Sequence, residues 1–279
     1  NTLWIKKKLL KINNYTQLYF DIRNKFELEK LFKKYRNEIT IVIHAAAQPS
    51  HDFAKNNIFL DFEINALGSL NIFNNVRRYC PFSKVIHLST NKVYGDNPNK
   101  LKLIEKKTRY EPVKKIYIKN GIGENFNIDH SIHSFFGVSK VYADLVAQEF
   151  AKNYDLKIGI FRAGCLTGPN HSGAGLHGFL SFLVKSCFLS RKYNIIGYKG
   201  KQVRDNLHSN DLLNAFWEYI KKPKAGEVYN IGGGKYSNCS IIEAINIVQK
   251  KVNSKINLKY FKKNRVGDHI WYISDLSKF

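Results

Sequence analysis

The apolar positions of the chain follow two rhythms. ITIVIHAAA (39–47), KVIHLST (84–90) and LKIGIFRA (156–163) are short runs dense in β-branched and other apolar residues. Between them lie longer stretches in which apolar residues recur every three or four positions. Runs of the first kind form strands buried on both faces, and a 3.6-residue recurrence forms an amphipathic helix. The second rhythm predicts helices over 61–79, 136–154 and 178–189; in the middle one, Val138, Val141, Tyr142, Leu145, Val146 and Phe150 share a face. Leu18 to Arg23 reads as a further strand with Asp21 near its end, although Asp21 serves equally well as a turn or helix cap. VYNI (228–231) with Gly232-Gly233-Gly234 reads as a strand end and turn, ahead of a helix capped by Ser240.

Strand–helix–strand alternation with such strands predicts an α/β protein with a doubly wound, Rossmann-type parallel sheet. Residues from about 164 mix shorter elements and predict a smaller C-terminal lobe, 164–279, interleaved with a first domain made of 1–163 and part of 190–215. Ligands of such sheets bind beyond the carboxyl ends of the strands. Three strand ends are therefore of interest: Ala45-Ala46-Ala47-Gln48, Ser89-Thr90-Asn91 and Arg162-Ala163-Gly164-Cys165. Small residues let a flat ring approach the backbone, and hydroxyls can bond a reacting carbonyl or alcohol.

Composition narrows the function classes. At 279 residues and 44% apolar, the chain is long enough for one large domain or two small ones. No run approaches the roughly 18 apolar residues of a membrane span, and no secretory segment opens it. Cys80, Cys165, Cys187 and Cys239 stand apart with no CxxC, so buried thiols, a reduced cytoplasm and no metal are expected. The net charge of +23 comes from scattered lysines rather than one basic stripe. That pattern argues for a solvated surface and against a nucleic-acid partner, and it suits a small anionic substrate.

A literal GxGxxG spans Gly173 to Gly178, but nine residues of polar loop precede it and no acid ends the next strand. A dinucleotide fingerprint must join a strand directly to a helix. The expected first βαβ unit with its glycine loop is therefore missing from this sheet, and the lack of any methionine points to a fragment.

HAAAQPSHD, STNKVYGD, FGVSK, FRAGCLTGPNHSG, GKQVRDNLHSNDL and RVGDHIW, in that order, resemble the extended short-chain dehydrogenase/reductase superfamily from about residue 18 to the end. STNKVYGD with GKQVRD resembles more narrowly the CDP-paratose 2-epimerase (tyvelose epimerase) group of nucleotide-sugar epimerases. The resemblance implies a tightly held NAD that takes a hydride from C2 of the sugar and returns it to the other face. A 4-epimerase, a dehydratase, a reductase or a non-catalytic binder on the same fold are the alternatives. It also implies residue roles: Thr90 as the hydroxyl at the reacting centre, and Lys140 as the ribose-binding cation that lowers the pKa of the base. Asp21 and Ile22 would flank the adenine, Ala45, Ala46 and Ala47 line the dinucleotide, and Ser89 lie near the nicotinamide. Asn65 and Arg162 would support the cofactor. Asn91, Asn170, His177, Arg204 and Arg265 would take the nucleotide sugar, with both arginines on its diphosphate. Arg204 pairing with Asp205 or Asp211, and plain loop roles for Asn170 and His177, remain open. A homodimer or homotetramer is implied as well.

One departure stands out. Four residues before Lys140 the superfamily carries a tyrosine as acid/base, and here the position is Phe136. Either another group moves the proton (Tyr94, His133, or a water relayed through Thr90), or the scaffold runs a different reaction, or catalysis is lost.

Overall fold

The structure, a computed structural model, describes residues 3–174 and 178–279. The first half runs α1 (Leu3–Leu9), α2 (Lys25–Tyr35), β1 (Ile41–His44), α3 (His51–Asn56), α4 (Ile58–Phe62), α5 (Gly68–Tyr79) and β2 (Lys84–Thr90). Next come β3 (Leu103–Glu105), β4 (Tyr110–Pro112), α6 (Lys115–Asn120), α7 (Ser134–Tyr154), β5 (Lys157–Ala163) and β6 (Cys165–Thr167). The remainder is α8 (Phe179–Phe188), β7 (Tyr193–Ile196), β8 (Val203–His208), α9 (Ser209–Lys221), β9 (Val228–Ile231), β10 (Asn238–Ser240), α10 (Ile241–Val252), β11 (Leu258–Phe261) and β12 (Trp271–Tyr272).

The central sheet has the order β1-β2-β5-β9 and is parallel throughout. β2 and β5 are buried almost end to end, as their apolar runs predict. Phe32, Phe73, Val76 and Ala147, from α2, α5 and α7, cover one face. Phe216 and Tyr219 of α9 cover the other, against Phe161. Gly159 makes that second contact possible, because a Cβ there would stand 2.6 Å from the Tyr219 ring. The fold is the expected Rossmann-type α/β sheet.

Several boundaries differ from the expectations for local reasons. β1 ends at His44 rather than 47, since the chain leaves the ladder and Asn65 takes over its backbone groups. Gln48 N–H donates to Asn65 Oδ1 at 2.9 Å, and Asn65 Nδ2 donates to Gln48 O at 3.1 Å. The helix expected over 61–79 is broken by a π-helical turn, Glu63–Leu67, which carries Asn65. Leu18 to Asp21 joins no ladder among the described residues, and Ile22-Arg23 form a turn in which the Asn24 N–H donates to Asp21 O at 2.9 Å. Phe20 and Ile22 still pack on the core while Tyr19 and Asp21 are exposed; the alternation is a strand's, but no neighbouring backbone is offered to it. Likewise no described strand lies beyond the outer edge of β1, where Ile41 and Ile43 are exposed.

The smaller elements form a sheet β10-β8-β12 with β6 also on β8, a β7–β11 pair and a β3–β4 hairpin. α8 and α10 pack together through Leu183, Cys187, Ala244 and Ile245. The expected division at 163/164 does not follow the sheets. β7 and β8, inside 190–215, join the small sheets, whereas α9 and β9 complete the large one because Phe216, Tyr219, Tyr229 and Ile231 supply its apolar cover.

Candidate active site

A cavity of about 580 Å³ opens between the carboxyl ends of β1, β2 and β5 and the small sheets. Ala45, Ala47, Ala163 and Gly164 line it, so the ends of β1 and β5 present little beyond backbone; Ala46 is not part of the lining. Ser89, Thr90 and Asn91 line it from the end of β2. The Ser89 hydroxyl is directed downward, donating to Asp144 Oδ2 at 2.6 Å. Thr90 Oγ1 accepts the Lys92 N–H at 3.3 Å, which leaves its own proton to donate into the cavity.

Phe136 and Lys140 lie one helical turn apart on α7, and both reach the cavity. Lys140 is buried, and its Nζ donates to Leu88 O at 3.1 Å. Burial pushes its ammonium down to about 8, against the pull of Asp144 and Asp61. The Phe136 ring meets the His51 imidazole edge-on, with centroids 4.8 Å apart.

The opposite wall is cationic. Arg204 donates to Val203 O and pairs with Asp268, not with Asp205 or Asp211. Arg265 pairs with Asp52, and Lys92 Nζ donates to Gly267 O at 2.9 Å. Burial brings the Lys92 ammonium down to about 8 in spite of Asp268. Burial works against ionisation of Asp268, yet Arg204 and Lys92 hold its carboxyl well below the usual carboxylate range. Among the described lining residues there are four cations, Lys92, Lys140, Arg204 and Arg265, and one carboxylate. The two arginines can receive a diphosphate. Cys165 also faces the cavity, and burial pushes its thiol up to about 11.

Other expected site residues lie elsewhere. Arg162 is not part of the lining: its guanidinium is taken by Asp144, the Tyr94 hydroxyl and Glu124 O beneath the sheet's end. Asn65 is buried behind the lining and clamps Gln48, Asp61 and Ser139. Asp21 is bound by Arg23 away from the cavity, and the Ile22 carbonyl accepts from Asn71. Asn170 is exposed, and His177 lies outside the described residues, as does the middle of the GxGxxG run. Neither alternative proton carrier faces the cavity. Tyr94 is fully buried and bonds Asn230 and Arg162, while His133 Nε2 bonds Val93 O.

Lys92, His51 and Asp268 line the site without having been singled out. All three sit inside the motifs quoted above, STNKVYGD, HAAAQPSHD and RVGDHIW, so proximity to those motifs was their only signal.

Residues 4–232 match the NAD dependent epimerase/dehydratase family. The chain belongs to that family. Among its family relatives, the CDP-paratose 2-epimerase of Salmonella typhi is 30% identical over 278 residues, spanning 97% of this chain and 79% of that protein. The dTDP-glucose 4,6-dehydratase of Salmonella typhimurium is 24% identical, spanning 95% and 72%. In three dimensions, this epimerase/dehydratase chain is similar to the UDP-glucose 4-epimerase of Thermotoga maritima solved with UDP-glucose. The TM-score is 0.78 at 23% identity, over 97% of this chain and 79% of that one. The UDP-glucose 4-epimerase of Thermus thermophilus in complex with NAD gives 0.74 at 22%, over 93% and 76%. At these identities the structural likeness speaks for the fold. Among the described residues no group of three His, Cys, Asp or Glu side chains comes together to hold a metal, and no helix is long and apolar enough to cross a membrane.

Proposed function

We propose that the protein epimerises a nucleotide-linked sugar at C2 with NAD, in the manner of CDP-paratose to CDP-tyvelose. The observation that carries this reading is a single cavity with two unlike walls: Thr90 and Lys140 at the strand ends, and Arg204 and Arg265 facing them. The similarity to a CDP-paratose 2-epimerase along 97% of the chain supports the choice of carbon and nucleotide.

The residues present fit the nicotinamide half of NAD. Ala45, Ala47 and Ala163 leave room for a flat ring, and Lys140 is a buried cation whose charge a ribose hydroxyl can share. When bound, NAD supplies a two-electron acceptor that is restored by the end of the reaction. Thr90 donates its hydroxyl proton to the oxygen that gains charge as the 2-ketone forms. Lys140 fixes the ribose and places positive charge beside the same oxygen. Arg204 and Arg265 hold the diphosphate and so anchor the sugar while it turns its other face. Ser89, Asp144, Arg162 and Asn65 position these groups from behind rather than touching ligand. The strand ends of the large sheet would serve the cofactor, and the small sheets the nucleotide sugar.

Elimination of water from the sugar fits less well. It calls for a proton donor at the departing hydroxyl, and the one carboxyl among the described lining residues, Asp268, is kept ionised by Arg204 and Lys92. Phe136 favours a second reading, binding without turnover, since its ring can carry no proton. Incubating the intact protein with NAD and CDP-paratose separates the two. Epimerisation predicts a C2-inverted product and a transient rise in reduced-nicotinamide absorbance. Tight binding with neither signal would leave only the binding role.

A further inference from the structure

We propose that His51 carries the proton in this site, exchanging it with the sugar hydroxyl where a phenol at position 136 would otherwise do so. The inference rests on the epimerase reading and supplies the group which that reading lacks. An alcohol that becomes a ketone must release its hydroxyl proton, and the cavity offers few places to put it. Lys140 spends a donor on Leu88 O, and Lys92 on Gly267 O beside Asp268. Tyr94 and His133 are bonded away from the cavity.

His51 stands in the right place. It opens α3, lines the cavity, and meets the Phe136 ring edge-on at 4.8 Å. An imidazole therefore lies against the hydrocarbon ring in the same cavity that Thr90 and Lys140 line. Its orientation is built rather than incidental. Nδ1 bonds Ser134 Oγ at 2.8 Å, and that oxygen also accepts the Gly137 N–H at 3.3 Å. Ser134 holds a left-handed backbone, φ 63°, which a serine rarely adopts unless its surroundings impose it. Gly267 (φ 76°) closes the third side: a Cβ there would stand 3.0 Å from His51 Nδ1 and Cε1 and 3.4 Å from Ser134 Oγ. Three segments far apart in sequence thus converge on one imidazole, with Ser134 as its positioning residue. When Nδ1 donates to Ser134 Oγ, the tautomer is the one whose Nε2 accepts a proton.

The step assigned to His51 is proton transfer alone. The sugar O–H bond breaks, an N–H bond forms on the imidazole, and the oxygen electrons become the second bond of C=O. The C2 hydrogen leaves with its electron pair to an oxidant of the nicotinamide class. Reversal on the other face returns the proton from the imidazolium.

The test uses the intact protein and His51→Gln, which keeps a polar side chain but cannot shuttle a proton. With NAD and CDP-paratose, kcat is expected to fall on the order of 10²-fold or more, while the Kd for CDP-paratose measured by calorimetry stays as in the parent. Adding Phe136→Tyr to His51→Gln should recover about tenfold or more of the loss, whereas Phe136→Tyr alone should leave kcat nearly unchanged because the parent already has its proton carrier; an equal gain in both backgrounds, as a merely structural histidine would give, overturns the proposal. Parental kcat in His51→Gln overturns the proposal and leaves the epimerase reading intact. A second measurement needs no turnover: the imidazole resonances of His51 should shift with CDP-paratose and not with CDP alone. Equal responses to both ligands, or none, overturn the placement of His51 at the sugar. A sugar-dependent shift in a protein that does not epimerise supports His51 at the sugar and counts against the epimerase reading instead.

Discussion

Arg204, to which the proposed function gives the substrate's diphosphate, is fixed by its protein neighbours. One arm of its guanidinium is spent on Val203 O and the other on Asp268, so the fork is held in one orientation. A lysine could keep the ion pair but not the planar fork. Arg204→Lys should raise KM for CDP-paratose on the order of tenfold with kcat little changed, as steady-state kinetics would show. An equal fall in kcat would instead put Arg204 at the reacting centre. That Thr90, Lys140 and Arg204 share one cavity was legible because each lies in a contiguous motif. His51 was not, because what makes it special is Ser134, 83 positions away, and the bare backbone of Gly267. Arg162 misled for the opposite reason. A strand-end arginine reads as a ligand contact until Asp144, on the neighbouring helix, is known to take it.

Among the elements, α10 is tied down most firmly. Ser240 and Glu243 form a reciprocal cap, and Glu243 also accepts from Thr108 and twice from Arg109 of the segment between β3 and β4. Burial alone would raise the Glu243 carboxyl, but Arg109 and the cap bring it down to about 2. A carboxylate depressed in the folded state contributes stability above the ordinary 4.5, and that contribution fades as pH falls toward about 2. With screening at this half-open site the effect is on the order of 1 kcal/mol. Glu243→Gln should therefore melt about 2 °C lower at neutral pH, with the gap closing as melts are repeated in acid; a constant gap would deny the charge its part. The Ser240 cap was readable in the sequence, whereas the clamp to Arg109 was not, being a contact across 134 positions. Strand and helix types were likewise readable where burial on both faces or on one stripe dictates them. The π-helical turn at Glu63–Leu67 was hidden, since no residue pattern distinguishes it from the helix around it.

For the molecule as a whole, charge acts at a distance. A net +23 surrounds a cavity whose own lining is cationic, so an anionic substrate is drawn in from beyond contact range. Screening shortens that reach from about 30 Å at 0.01 M salt to about 8 Å at 0.15 M. Raising NaCl across this range should lower kcat/KM for CDP-paratose several-fold and leave kcat nearly unchanged, as initial-rate assays at each salt would record. A salt-independent kcat/KM would confine the charge to a solubilising role.

The outer side of β1 has a different kind of reach. Its row of amide and carbonyl groups finds no described neighbour, and Ile41 and Ile43 stand exposed along it. Such a row is a template that any extended segment can complete, including the same row on a second molecule turned to face it. For a polypeptide that presents the edge bare, self-association competes with folding, and protein concentration becomes a variable in every measurement made on it.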